Sequence, residues 1–487
     1  MTNMKSLSVP ISEPLPGRGM TLFLGLLAAA LGTLFAVGHW SIALLCGIAI
    51  LMLSAIESTP FLVGIIFLIP VGWFARISST LGASDSRMDL ATAARLLVVA
   101  GFFLGRLCRG QLSVKQMLRP PLTRLSLAFG AVAFASVILA PTGIMYGSLK
   151  GVVRLLSYVG FYLFLVCWVN SRERVRTISF TLLCSTIMVA VFGVFQEIVG
   201  DYTSFWLFFN PPQEWFQPME HRVPSLLNYS NSLAGYLNLV LPFGLACFAL
   251  GKGKWRKLGG WTVGLGFIAL VCTQSLGGLA AFCCVLVLAI FCFIRTQRRR
   301  VLLLAGVCAL ALGFYLAKET LNPAHVGDSV GFDAATRLLL WSTAWNLFVH
   351  SPIIGVGWGN FVELYGPYVS SFSWIPSGVL EVHSIYLQLL AETGIVGFAS
   401  FFLFLFRAVQ QALHQLRCSA EILDKALAFG VLGGILTILV HGFVDFVFQV
   451  SPQFGTLFWM LLALLVVSDR IQSESALGKS GVSPRLA

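Results

Sequence analysis

Charge is what this chain has least of. Asp, Glu, Lys and Arg make up 11% of its 487 residues, against 57% hydrophobic and 13% aromatic residues. By length alone a soluble chain would hold about three domains, but so few charges leave no surface to present to water. The composition belongs to a polytopic helical membrane protein. Period-2 alternation is missing from the long apolar runs, which excludes a transmembrane barrel and leaves helices that satisfy their own backbone. No cleavage site leading into a soluble chain follows the first apolar run. Residues 1–19, with Lys5 and Arg18, therefore read as an uncleaved cytosolic tail.

Metal-site patterning is missing too. The chain has 11 cysteines, yet no spacing resembles a zinc site, and nine of them lie in or at the ends of apolar runs. Cys108 and Cys418 fall in basic loops. All read as packing residues. The net charge of +12 does not imply nucleic acid, because the basic residues gather in short loops between apolar runs, as in the cytosolic loops of membrane proteins. No nucleic-acid partner is expected; the surrounding partner is lipid.

Fourteen apolar segments follow the tail, several shorter than the roughly 20 residues that cross a bilayer, so the expectation is 12–14 transmembrane helices. Basic clusters at Arg106–Arg124, Arg172–Arg176, Lys252–Lys257, Arg295–Arg300 and Arg407–Arg417 alternate correctly with the spans if both termini are cytosolic. The organisation is then N-terminal helices over 1–198, a first periplasmic loop at 199–228 and central helices over 229–317. A large, partly helical periplasmic loop at 318–384, C-terminal helices over 385–470 and a cytosolic tail at 471–487 complete it. The fold class is all-α.

The two outer loops avoid basic residues: beyond Lys318 near the membrane edge, Arg222 and Arg337 are the exceptions. One reading has them as anchors: Arg222 snorkelling or pairing with Glu220, Arg337 pairing with Asp333 four residues back. The other has two planar guanidinium forks aimed at an anionic ligand such as phosphate. Between Ala335 and Phe398, Leu338, Trp341, Trp345 and Phe348 fall at helical spacing. Ser351-Pro352 stops that helix, and Gly355, Gly357 and Gly359 allow a tight loop. His383 and Ser384 then stand at the mouth of a long apolar helix. The positive end of that helix disfavours imidazolium, and Glu381 favours it.

Here the residues resemble a family. His383-Ser384, nine residues, Gly394, two residues and Gly397, within HSIYLQLLAETGIVG, resemble the signature of the bacterial O-antigen ligase and polymerase superfamily. TRLLLW followed by SPIIGVGWGNF resembles its segment just upstream. The run from Arg222 through Asn228, Asn231, Ala234 and Tyr236 resembles its earlier arginine-bearing motif. One departure is Leu276, where many members carry arginine in a Ser-Arg-Gly step.

The resemblance implies a membrane glycosyltransferase at the bacterial inner membrane, working on the periplasmic face. Its donor is a polyprenyl-diphosphate-linked glycan, such as one on undecaprenyl diphosphate, and its acceptor a lipid-anchored glycan. The ligase branch transfers to a lipid A-core sugar, the polymerase branch to another lipid-linked repeat; ligase is the expectation here. On this reading His383 is the general base, and Arg222 and Arg337 stabilise the diphosphate leaving group. Asn228, Asn231, Tyr236, Trp341, Glu381, Ser384 and Tyr386 are the expected substrate contacts. Without an acidic pair in these loops, no metal and no cofactor are expected, and direct displacement would invert the anomeric centre. A lipid-linked glycan transporter would instead need ionisable groups along a mid-membrane path. Glu57, Glu197 and Asp445 are the candidates for that path, and most of them fall at span ends.

Overall fold

The computed structural model describes residues 53, 59–70, 90–111, 113–200, 222–227, 229–321, 323–365, 381–445 and 452–479. Among these residues every regular element is a helix. In chain order the longer ones are α1 (Thr59–Leu68), α2 (Leu90–Cys108), α3 (Pro121–Ile138), α4 (Tyr146–Trp168) and α5 (Arg172–Val199). They continue with α6 (Ser230–Leu250), α7 (Gly253–Cys272), α8 (Leu276–Phe293) and α9 (Gln297–Leu321). The last four are α10 (Pro323–His350), α11 (Ile385–Cys418), α12 (Ile422–His441) and α13 (Pro452–Lys479). Among the described residues 8 helices are long and apolar enough to cross a membrane: α3, α4, α5, α6, α8, α11, α12 and α13. The chain is an all-α polytopic membrane protein.

Small residues set the centre. Lipid is as apolar as a leucine side chain, so helices associate in membranes through close packing. On α12, Gly430 lies against Phe243 of α6, and Gly433 against Pro242. On α6 in turn, Gly244 receives Thr262 of α7. Between α13 and α4, Gly455 takes the Tyr158 ring, and Tyr162 meets Trp459 edge-on at 5.7 Å. Arg95 of α2 is 1% exposed and bonds Thr92 and Ser157 at 2.8 and 3.1 Å, as well as Thr456.

The two ends of the bundle differ in charge chemistry. At one end Arg172 bonds Asp424 at 2.9 Å, where α5 and α12 begin, and Arg470 donates to the Val166 and Val169 carbonyls. α12 is 20 residues long, roughly 30 Å, and His441 closes it at the other end. There the first turns of α4, α6, α8 and α11 converge.

The loop at that end is built from both halves of the segment legible in sequence. α10 stops at His350, and Gly355, Gly357 and Gly359 take φ of 80°, 102° and 87°, which glycine adopts without steric cost. α11 breaks at Gly394, with φ 60° and ψ −167°. That break frees backbone groups, and the loop satisfies them. Val356 and Gly357 donate to the Ala391 and Glu392 carbonyls, both at 2.9 Å, while Ile395 and Val396 donate to Pro352 and Ile353. Asn360 and Glu363 reach across to Ser148 and Gly147 of α4, so three elements close on one loop.

The face that α10 buries differs from the expected stripe. Leu338 is 63% and Trp345 51% exposed, while Leu340, Ala344 and Leu347 are buried. In a membrane protein apolar residues also face lipid, so apolar spacing does not by itself mark the packed side.

Candidate active site

His383 sits just ahead of α11 with φ of 55°, a left-handed conformation uncommon outside glycine. Two ties hold the mouth of this helix to the end of α12. The Ile385 N–H donates to the Gly442 carbonyl at 2.8 Å, and the Tyr386 hydroxyl donates to the Leu439 carbonyl at 2.7 Å. They bring the His383 imidazole beside Asp445, which follows the α12 terminus, with Nδ1 donating to Oδ1 at 3.3 Å. Asp445 is buried, and His383 is part exposed at 31%. A carboxylate on Nδ1–H fixes the ring's tautomer and leaves Nε2 able to accept a proton.

The charges around this pair explain its state. Burial alone would raise the Asp445 pKa, but the His383 hydrogen bond and charge, His441 and Arg337 together hold it at about 2. Glu381 behaves oppositely. Burial pushes its carboxyl up, against the pull of Arg154, His383 and Lys150, and Asp445 adds to the rise. Gln388 bridges Glu381 and Glu392, donating to them at 3.4 and 2.7 Å, while its Oε1 accepts from the Val382 N–H.

Arg222 approaches from the other side. Its Nε donates to the Thr273 carbonyl at 3.0 Å and its Nη2 to Asn231 Oδ1 at 2.7 Å. Thr273 caps α7, and Ser275, two residues on, caps α8 by accepting from the Gly278 N–H. Gly277, in the first turn of α8, lies against His441 and Val444. The α7–α8 turn thus joins Arg222 to the α12 end, where His441, Asp445 and Arg337 lie within electrostatic range of one another.

Placement of the remaining expected contacts is uneven. Asn231 holds Arg222, and Trp341 packs edge-on against Phe443 at 6.0 Å, with Phe443 in turn against Tyr386. Ser384 is the buried N-cap residue of α11, and the Tyr386 hydroxyl is spent on a helix tie. Tyr236 is wholly buried within the helix packing. Asn228 lies outside the described residues, as do Glu57, Glu220 and residues 366–380.

Two groups escape the sequence reading. Asp445, weighed there as part of a transport path, instead partners His383. Its signal is present in HGFVD, where His441 and Asp445 fall four residues apart at a span end. Lys150 and Arg154 of α4 add cations near Glu381, so Arg222 and Arg337 are not the sole basic residues at this end. Among the described residues, no group of three or more His, Cys, Asp or Glu could hold a metal ion.

Residues 261–402 match the family model described as O-Antigen ligase. The match supports the resemblance to the O-antigen ligase and polymerase superfamily over that stretch. The matched stretch holds the α8 turn, Arg337, His383 and the Gly394 break, while Arg222, His441 and Asp445 lie on either side of it. No curated protein matches the chain.

Proposed function

We propose that the chain is a ligase-type glycosyltransferase of this superfamily acting at the outer face of the bacterial inner membrane. It moves a glycan from a polyprenyl-diphosphate carrier to a hydroxyl of a lipid-anchored sugar, the lipid A-core. The observation that carries the reading is the His383–Asp445 pair, which shares one end of the bundle with Arg222 and Arg337. His383 Nε2 takes the proton of the acceptor hydroxyl as its oxygen bonds the anomeric carbon. The bond from that carbon to the diphosphate oxygen breaks, and the leaving group departs with the electron pair toward the arginines. Displacement in one step inverts the anomeric centre. A diphosphate leaving group needs charge stabilisation more than an acid, which two guanidinium groups supply without a metal.

The test uses purified full-length protein in nanodiscs with polyprenyl-linked glycan, with and without lipid A-core. Glycan appearing on the core lipid supports the ligase. Lengthened polyprenyl-linked chains, formed with or without core, would reassign the chain to the polymerase branch. No transfer to either would remove the glycosyltransferase reading. Arg222→Lys and Arg337→Lys keep charge but lose the fork, and each is expected to lower turnover by about 100-fold or more.

A further inference from the structure

We infer that His441 is a further ligand of the diphosphate leaving group, acting with the first turn of α8. This rests on the transfer reaction proposed above. His441 is the last residue of α12 and is 2% exposed. Its Nδ1 is buried with no hydrogen-bond partner among the described residues. Buried polar atoms in native proteins are nearly always paired, and an orphan calls for a partner the protein alone does not supply.

The surroundings of the ring point to an anion. A Cβ added at Gly277 would meet Val444 Cγ2 at 2.7 Å, His441 Cδ2 at 2.8 Å and His441 Nε2 at 3.4 Å, so the Cδ2–Nε2 edge of the imidazole lies on the backbone of the first turn of α8. The N–H groups of a first helical turn have no acceptor within their own helix, and the helix dipole makes that end attractive to phosphate. α8 is 18 residues long, and Ser275 Oγ already takes the Gly278 N–H, so the donors of this first turn are the Leu276 and Gly277 N–H groups. Arg222 stands at the same turn through its bond to Thr273, and Arg337 lies within electrostatic range of His441 from α10. Asp445 is the acidic neighbour of the ring.

Each group has a share in holding two phosphoryl groups. The arginines supply charge, the α8 turn supplies its Leu276 and Gly277 N–H groups, and the imidazole supplies its unpartnered Nδ1. Leu276 presents no charge in this turn, and His441 is a titratable side chain packed beside it. A core histidine that merely fills space would be equally satisfied by an apolar ring of similar size.

That contrast gives the experiment. Binding of glycan-free polyprenyl diphosphate and of polyprenyl monophosphate is measured on full-length protein in nanodiscs. The proteins compared are wild type, His441→Phe and Gly277→Ala, after size-exclusion and thermal melts confirm folding. His441→Phe is expected to weaken diphosphate binding about ten-fold, as one lost hydrogen bond to a charged group does, and monophosphate binding less. Gly277→Ala keeps the imidazole but pushes it off the α8 turn, and is expected to weaken diphosphate binding in the same direction. It also serves if the phenylalanine variant fails to fold. Wild-type diphosphate affinity in a folded variant would overturn the role of His441 and leave the transfer reading standing. A wild-type protein that binds no polyprenyl diphosphate would overturn both.

Discussion

At the scale of single residues, the site depends on which side chain acts and which one aims it. In the proposed mechanism His383 is the base and Asp445 the positioning residue, so their loss should differ in kind. His383→Ala is expected to cut kcat by roughly 100- to 10,000-fold with donor binding intact. Asp445→Asn leaves the imidazole in place but frees its tautomer, and is expected to lower kcat by a comparable factor with little change in KM. Steady-state kinetics beside separate donor binding check both, and a His383→Ala variant that still turns over removes the base assignment. Glu381 and Asp445 also carry opposite pH signatures. Burial raises the Glu381 carboxyl, so its contribution to stability is full below its unfolded value and is lost as pH rises through the folded one. Melting temperatures over about pH 5 to 8 should therefore rise for Glu381→Gln relative to wild type. Asp445 is held at about 2 and stabilises above its unfolded value, a contribution lost only as pH falls through 2. The deficit of Asp445→Asn should stay flat over the same range.

At the scale of elements, the loop after α10 and the break in α11 form one device. Gly394 stands at φ 60°, and a Cβ there would run into the Ile353 carbonyl and lie 2.6 Å from the Ile354 nitrogen. Gly394→Ala should therefore cost at least about 1–2 kcal/mol for the left-handed backbone alone, and more for the displaced loop. The expected outcome is a lower melting temperature together with reduced transfer, because this loop docks on the helix that His383 immediately precedes. An unchanged melt and activity would mean that the loop can be displaced freely. Much of this element is legible in sequence. The Ser-Pro stop, the three loop glycines and the His-Ser-x9-Gly spacing each follow from backbone chemistry. Their mutual docking is not legible, because backbone hydrogen bonds between Val356 and Ala391 leave no mark on residue type. Asp445 is hidden for a different reason. It lies 62 residues beyond His383, and a carboxylate at a span end reads the same whether it anchors, transports or aims a histidine.

Across the whole molecule, the asymmetry of charge sets which way the site faces. The His383 cluster occupies the end where α12 finishes, and the Arg172–Asp424 pair the end where it starts. Roughly 30 Å of helix separates them, about the thickness of a bilayer's hydrocarbon core. Short loops rich in Lys and Arg stay on the cytosolic side, and the proposed function accordingly has the His383 end facing outward. The orientation is checked with two single cysteines in a background lacking the 11 native ones. Thr142 is exposed and donates to the Val356 carbonyl, which marks the site end. Ser473 is exposed on α13 beyond Arg470, which caps carbonyls of α4 at the opposite end. In intact spheroplasts an impermeant maleimide is expected to label Thr142→Cys at once and Ser473→Cys only after lysis. The reverse pattern would turn His383 toward the cytosol and set the positive-inside argument aside. Labelling of both before lysis would mean a leaky preparation, identified by a cytosolic marker protein in the same sample and repeated with sealed ones. With the seal verified, the position labelled from outside names the face of the membrane on which His383 lies.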